Sequence, residues 1–153
     1  MPAAPVPRVL HAVVLVSGGG TTLQNLIDRA GAGEIPLSID AVVSSKKDAH
    51  ALERARARGI DAYPCDRGEF ANDAEFSAAI TRFLDLYQPD LVVMAGFMHL
   101  YIIPERYAGR VVNIHPALLP KFGGKGFYDL KVHRAVLAAG EKETGCTVHF
   151  CDN

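Results

Sequence analysis

The sequence predicts an α/β fold, an open, mostly parallel, twisted sheet of the Rossmann-like type with helices on both faces. Strand and helix patterns alternate along the chain, which is typical of parallel strands joined by right-handed helical crossovers. The runs 9–16 and 91–96 are almost continuously apolar, as expected of strands buried on both faces. A chain of 153 residues, 49% of them hydrophobic, is long enough to bury one core, so we expect one domain.

The first half of the chain opens with a proline-rich stretch, residues 1–8, that we expect to form a flexible arm before the domain at 9–153. After the first strand, three glycines lead into a helix from Thr21 or Thr22 to about Ala30, whose apolar residues recur at helical spacing. The following elements are a strand over 37–44, a helix over 49–58 and a strand over 60–64.

The second half continues the alternation. A helix begins at Asn72 or Asp73, both good N-cap residues, and its apolar positions trace one face as far as Tyr87. The fifth strand, 111–115, ends at Pro116, because proline cannot donate a hydrogen bond to a neighbouring strand. A glycine-rich loop over 121–128, a helix over 130–139 and a sixth strand over 146–151 complete the pattern.

Charge and composition exclude several classes of partner. A formal net charge of −1 and a pI near 6.6 give no basic surplus for nucleic acid or an anionic membrane, so a small-molecule partner is favoured. No apolar run approaches the roughly 20 residues of a membrane span, and the start of the chain lacks the pattern of a secretory signal. We therefore expect a cytoplasmic protein.

The cysteines are Cys65, Cys146 and Cys151, an odd number without the spacing of metal ligands. This pattern argues against both a disulfide framework and a zinc site, and favours reduced thiols. We expect no metal in this protein.

Residues 111–120 carry the strongest indication of chemistry. Side chains alternate along a strand, so Asn113 and His115 project from the same face, and Pro116 stops the strand with this polar pair at its end. Ligands of open α/β sheets bind just beyond the carboxyl ends of the strands. The alternative is that both side chains are satisfied polar groups that cap a strand.

The second candidate is the glycine-rich turn over 17–22. Its three glycines allow close approach to the backbone, and the N–H groups and dipole of the helix that follows attract an anion such as a phosphate. The pattern is neither a Walker A loop nor G-x-G-x-x-G, which disfavours an ATPase or a dinucleotide enzyme. A tight strand-to-helix turn without a ligand is the alternative. Arg54 and Arg58, on a later helix, are interpreted as a solvated face.

These two stretches resemble the glycinamide ribonucleotide branch of the folate-dependent formyltransferases, and the resemblance covers nearly the whole chain. The motif Asn-Ile-His-Pro-x-Leu-Leu-Pro at 113–120 is similar to that of the wider superfamily, which includes methionyl-tRNA formyltransferase and formyltetrahydrofolate deformylase. The glycine-rich turn and the motif Ala-Gly-Phe-Met at 95–98 resemble the glycinamide ribonucleotide branch in particular.

The resemblance implies an activity: transfer of a formyl group from 10-formyltetrahydrofolate to the amine of 5'-phosphoribosylglycinamide, in the purine pathway that leads to IMP. Asn113 and His115 would be catalytic and would stabilise the oxyanion of the tetrahedral intermediate. His115 could also give or relay a proton, because imidazole changes charge near neutral pH. Gly20, Thr21 and Thr22 would hold the phosphate of the ribonucleotide.

The folate would occupy a slot that the resemblance assigns to Met98, His99, Leu100 and Tyr101, together with Asn113. Backbone groups there would contact the pterin, and apolar side chains would flank it. The family often has arginine where His99 and Asp73 stand, and asparagine near Thr22, so the sequence departs from the family pattern at three positions.

Three readings stay open besides this one. A deformylase would use water in place of the amine, but such enzymes carry an additional N-terminal domain. Methionyl-tRNA formyltransferase would need a basic C-terminal domain, which is not in this sequence. A nonenzymatic nucleotide-binding module would use only the turn at 17–22. The oligomeric state is also open, with a homodimer as the oligomer considered.

The family adds a catalytic aspartate on a loop beyond the strand that ends here at Cys151, followed by a further strand and helix. These positions lie past Asn153, and Asp152 comes too early to replace the aspartate. We therefore expect the 153-residue chain to be a truncated form and to be inactive by itself.

This expectation can be tested directly. We predict that the purified 153-residue chain transfers no measurable formyl group, because its catalytic set lacks the acidic member. Formation of formylated ribonucleotide, followed by chromatography, would contradict the prediction.

Overall fold

The strands form one six-stranded sheet in a computed structural model that describes residues 1–128 and 130–153. They are β1 (Leu10–Val16), β2 (Leu37–Ser44), β3 (Asp61–Pro64), β4 (Leu91–Met94), β5 (Val111–His115) and β6 (Thr147–Phe150). The α-helices of the described part are α1 (Thr21–Gly31), α2 (His50–Arg56), α3 (Asp73–Tyr87) and α4 (Leu130–Ala138). Short 3-10 turns lie at Arg67–Glu69 and Glu105–Tyr107.

The sheet has the order β3-β2-β1-β4-β5-β6. The first five strands pair in parallel, as β3 with β2, β2 with β1, β1 with β4 and β4 with β5, and β6 runs antiparallel to β5. The chain moves outward from β1 to β3 and then crosses to the other side of β1 with β4. This reversal is a topological switch point, the place where doubly wound sheets bind ligands between the carboxyl ends of their strands.

The two faces of the sheet are covered by different helices. Val14 and Val16 pack with residues of α1 and α2, whereas Val13 and Leu15 pack with residues of α3 around the fully buried Phe76. This alternation within β1 follows from the period of two in a strand, and it explains why the whole run is apolar.

The ends of α3 have clear local causes. The side chain of Asn72 accepts a hydrogen bond from the N–H of Glu75 at 2.9 Å, which satisfies one of the unpaired donors of the first turn. At the other end Gln88 adopts a left-handed conformation with φ of 48°, and its N–H donates to the carbonyl of Leu84.

The predicted fold class is confirmed, and most predicted elements lie within one or two residues of their observed bounds. The strand predicted over 91–96 is shorter, because the chain leaves the sheet after Met94. The two 3-10 turns were not predicted, since three-residue elements have no hydrophobic period. Residues 1–9 lie outside regular secondary structure, but Arg8 contacts Asp90 at 2.6 Å. Over the ranges described, no helix is both long enough and apolar enough to span a membrane.

The burial of Phe76 leads to a stability prediction. Replacing Phe76 with Ala should lower the free energy of unfolding by about 3–5 kcal/mol, because the substitution removes a large fully buried side chain and leaves a cavity. Leu86→Ala on the same helix is the matched control, since Leu86 is 70% exposed, and should cost no more than about 0.5 kcal/mol. Urea denaturation measures both values, and equal losses would contradict the packing described.

Candidate active site

A cavity of about 420 Å³ lies at the switch point, beyond the carboxyl ends of β1, β4 and β5. Three connections line it, over residues 18–22, 95–98 and 113–116, and part of the loop before α4 lines a further side. The structure therefore brings together residues predicted separately from the sequence. The predicted site residues on its wall are Gly20, Thr21, Thr22, Met98, Asn113 and His115.

The glycine-rich connection enters α1 through a left-handed residue. Gly20 has φ of +77°, and a Cβ at this position would lie 2.7 Å from the Cβ of Ala51 in α2. Conformation and space thus both require glycine here. Over the described residues, α1 has no side-chain N-cap and no acidic residue in its first turn. Gly20, Thr21 and Thr22 at its start line the cavity. An anion there would be stabilised by the unpaired N–H groups of the first turn and by the positive end of the helix dipole.

Asn113 and His115 share one face of β5, as predicted, and each has a defined partner. The Nδ2 atom of Asn113 lies 3.2 Å from Nε2 of His149, which is its neighbour in the register of β5 and β6. The Nε2 atom of His115 lies 2.7 Å from the carbonyl oxygen of Phe122. A carbonyl only accepts, so Nε2 of His115 carries a hydrogen.

The turn after His115 is held by β6. The Thr147 hydroxyl donates to the carbonyl of Ala117 at 2.7 Å and accepts from the N–H of Leu119 at 3.0 Å. Phe122, whose carbonyl meets His115, has a left-handed backbone with φ of 56°. The imidazole is therefore oriented by a loop whose own course is set by Thr147.

The connection after β4 is joined to the one after β1. The N–H of Met98 donates to Oγ of Ser17 at 2.9 Å, and that oxygen lies 2.6 Å from Oγ of Ser45. Both serines are buried, so this polar bridge fixes the distance between two walls of the cavity. The N–H of Met98 is thereby already paired within the protein.

The remaining residues assigned to the folate slot lie outside the cavity wall. Tyr101 is buried, and its hydroxyl lies 2.9 Å from Oγ1 of Thr81. Its side chain therefore belongs to the core. Leu100 is 60% exposed. Their part in folate binding, like that of His99, stays a prediction.

His99 packs edge-on against two phenylalanines, with ring centroids 5.8 Å from Phe76 and 6.1 Å from Phe97. Its pKa is lowered, first because burial disfavours the charged ring and then because the charges of Arg67 and Lys46 oppose a further positive charge. His99 therefore favours the neutral form.

Several residues of the cavity were not identified from the sequence. Phe127 and Tyr128 line it from the loop before α4, and His133 lines it from α4 itself. His149 contacts Asn113. The position of the glycine-rich loop was the only indication for Phe127 and Tyr128, and no sequence pattern indicated His133. The position of His149 beside Asn113 follows from the alternation of side chains along β6, but only when the pairing of β6 with β5 is known.

Arg54, interpreted from the sequence as part of a solvated face, is half-buried in the structure. Its Nε atom donates to the carbonyl of Gly19 at 2.7 Å, so the side chain contacts the glycine-rich connection. The interpretation of Arg58 is consistent with its exposed ion pair with Asp28.

Among residues 1–128 and 130–153, no three histidine, cysteine or acidic side chains lie close enough to hold a metal ion. The three cysteines are free, and burial raises the pKa of the Cys65 thiol to about 11.

The fold and the cavity define a doubly wound α/β protein with a ligand crevice at its switch point. Residues 10–153 match the formyl transferase family. The chain is 41% identical over 143 residues to phosphoribosylglycinamide formyltransferase of Escherichia coli K12, and the match covers 92% of this chain and 65% of that protein. It is 37% identical over 142 residues to the human trifunctional purine biosynthetic protein adenosine-3, covering 92% of this chain and 14% of that protein.

Solved structures agree with these matches. The crystal structure of glycinamide ribonucleotide transformylase 1 from Symbiobacterium toebii is 41% identical and superposes with a TM-score of 0.85, covering 94% of this chain and 66% of that one. The structure from Brucella melitensis, a phosphoribosylglycinamide formyltransferase, is 38% identical with a TM-score of 0.82 and covers 95% of this chain and 74% of that one. The chain belongs to the formyl transferase family, which confirms the resemblance found in its motifs.

The environment of His99 leads to a pH prediction. In the folded protein His99 should titrate below the ordinary pKa of histidine, and Arg67→Met should raise its pKa by removing a nearby positive charge. The folded state binds the His99 proton less tightly than the unfolded chain does. The contribution of His99 to the free energy of unfolding is therefore fully present above the ordinary pKa of histidine, and it is lost as the pH falls from there through the lowered pKa.

NMR titration of the His99 ring measures the effect. Arg29→Met serves as the control, since Arg29 is an exposed residue of α1 paired with Glu34 and should leave the His99 midpoint unchanged. A normal midpoint for His99, or one that does not respond to Arg67→Met, would show that its surroundings are wrongly described.

Proposed function

We propose that the protein transfers a formyl group from 10-formyltetrahydrofolate to the amine of 5'-phosphoribosylglycinamide, a step of purine synthesis toward IMP. The observation that carries the proposal is a single cavity in which the glycine-rich connection, the segment at 95–98 and the pair Asn113 and His115 meet. Family membership and the names of the relatives support it. The chain spans 65% of the Escherichia coli relative, so the activity of the whole protein is part of the proposal.

The phosphate of the ribonucleotide would lie at the N-terminus of α1. Gly20, Thr21 and Thr22 offer backbone N–H groups there, and the two threonines add hydroxyl donors. The net charge of −1 gives no general attraction for an anion, so the local dipole and donors have to supply it. This arrangement suits a phosphate monoester.

The neighbouring wall fits a flat aromatic ring. Gly96 has no heavy atom within 4 Å of the position where a Cβ would stand, and the side chains of Phe97 and Met98 provide apolar surface beside it. A cavity of about 420 Å³ lies in the range of small-molecule sites, about 300–1,000 Å³. We assign this wall to the pterin of the folate, with Met98 and Asn113 on the wall as predicted contacts. His99, Leu100 and Tyr101, which lie outside the wall, are its further predicted contacts.

The bound folate supplies the formyl carbon, whose oxygen gains negative charge when an amine attacks it. Asn113 can donate to that oxygen. The Nδ1–H of His149 points to the carbonyl of Phe150 at 3.2 Å, which leaves Nε2 of His149 to accept one hydrogen of the Asn113 amide. The other amide hydrogen of Asn113 stays available for the oxyanion, in an orientation that His149 fixes.

His115 can supply charge and a proton. Its Nε2–H is held by the carbonyl of Phe122, so a second proton on Nδ1 converts the ring into an imidazolium. A buried imidazolium next to the developing oxyanion stabilises it more strongly than it would in water, because the dielectric constant is lower. Such a ring can also pass a proton to the leaving nitrogen.

We also place the reaction in the cytoplasm. The support is the chain's three cysteines, which are all free and suit a reducing compartment.

The experiment uses the protein as its gene encodes it. Asn113→Ala should lower kcat by roughly 10²–10³-fold, the cost of removing one oxyanion donor, while binding of 5'-phosphoribosylglycinamide changes little. His115→Ala should lower kcat at least as much. Asn25→Ala is the matched control, because Asn25 lies on the exposed side of α1 and should leave turnover unchanged.

Stopped-flow absorbance of folate release measures turnover, and calorimetry measures affinity. Full function of the His115→Ala protein would favour a nonenzymatic nucleotide-binding module. Formate release without ribonucleotide would favour a deformylase.

A further inference from the structure

Arg54 makes a contact that the proposed chemistry does not use. It is a half-buried residue of α2, and its Nε atom donates to the carbonyl oxygen of Gly19 at 2.7 Å. Its Nη1 atom lies 3.4 Å from Oε1 of Gln24 in α1. The guanidinium group therefore joins α2 to the connection between β1 and α1, thirty-five residues earlier in the chain.

A second contact from α2 acts on the preceding peptide. The N–H of Ala51 donates to the carbonyl of Gly18 at 3.1 Å. The Cα and Cβ atoms of Ala51 also fill the space beside Gly20. Two consecutive carbonyls of the glycine-rich connection are thus held by the same short helix.

These contacts determine where the neighbouring N–H groups point. In a trans peptide the C=O and the following N–H lie in one plane and point in opposite directions. The carbonyls of Gly18 and Gly19 face α2, so the N–H groups of Gly19 and Gly20 face away from α2. All three glycines line the cavity. We infer that the N–H groups of Gly19 and Gly20, which point away from α2, face it.

The charge of Arg54 acts in the same direction. Its two hydrogen-bond partners, a backbone carbonyl and a glutamine amide, are neutral and do not cancel the positive charge. The α1 N-terminus provides positive potential at the same place. A phosphate dianion would be attracted by both.

We propose that Arg54 is a positioning residue for the phosphate of the ribonucleotide. It fixes the Gly19–Gly20 peptide so that the N–H of Gly20 and the first turn of α1 face the phosphate together. This role rests on the proposed function, because it requires a phosphate-bearing substrate in the cavity. A purely structural role, in which Arg54 only ties α2 to α1, makes a different prediction for binding.

Kinetics separates the two roles. Arg54→Met should raise KM for 5'-phosphoribosylglycinamide about tenfold, the effect of losing roughly one charge-assisted contact, with kcat and KM for the folate changed less than about twofold. Arg54→Lys should recover part of the loss, since lysine keeps the charge but lacks the planar fork. Arg58→Met is the matched control, because the hydrogen bond of Arg58 is an exposed ion pair with Asp28 and not a contact with the Gly19 carbonyl.

A binding measurement without turnover completes the test. Inorganic phosphate titrated into the 15N-labelled protein should shift the amide signals of residues 18–22, and Arg54→Met should weaken this binding about tenfold, as in the kinetics. If wild type binds phosphate and Arg54→Met binds it equally well with only a lower Tm, the positioning role is wrong. If Arg54→Met does not fold, the comparison of Arg54→Lys with Arg58→Met decides in the same way.

The same titration separates this inference from the proposed function. Wild-type protein whose amides at 18–22 do not respond to phosphate would contradict the anion site itself, and with it both proposals. Wild-type protein that binds phosphate but transfers no formyl group would contradict the proposed function alone.

Discussion

Parallel pairing of β1 with both β2 and β4 is the constraint on which the rest of the structure depends. The helical crossovers that parallel pairing requires cover both faces of β1, so its side chains alternate between the layer of α1 and α2 and the layer of α3. Parallel pairing also makes the chain leave β1, β4 and β5 at the same edge of the sheet. The polar groups of the cavity come largely from these exits, because the strands carry apolar side chains into the two cores.

At this edge, side chains form hydrogen bonds with the backbone of the connections that line the cavity. Ser17 joins the connections after β1 and β4, Thr147 holds the turn after β5, and Arg54 holds the glycine-rich connection. Each of them bonds to a backbone group within the protein. These internal contacts restrict the walls of the cavity, which lowers the cost of ordering them around a substrate.

The two ends of the cavity differ in character. The end at α1 offers backbone donors and a helix dipole but no acidic residue in the first turn, which suits a phosphate. The wall at Gly96 and Met98 has open space beside Gly96 and carries the apolar side chains of Phe97 and Met98. Asn113 and His115 lie on β5, which is separated from β1 by β4, and each is oriented by a hydrogen bond to a neighbour. The cavity thus combines backbone donors, an apolar wall and a pair of oriented polar side chains.

The sequence by itself determined the α/β class, nearly all of the strands and helices, and the shared face of Asn113 and His115, because these depend on periodicity and turn residues over a few positions. Only the tertiary structure decided that Arg54 reaches Gly19 and that His149 lies beside Asn113. Those contacts join residues 35 and 36 positions apart, and no local pattern specifies them. They arise from the strand order and from the packing of α2 against the first connection, which exist only once the sheet has formed.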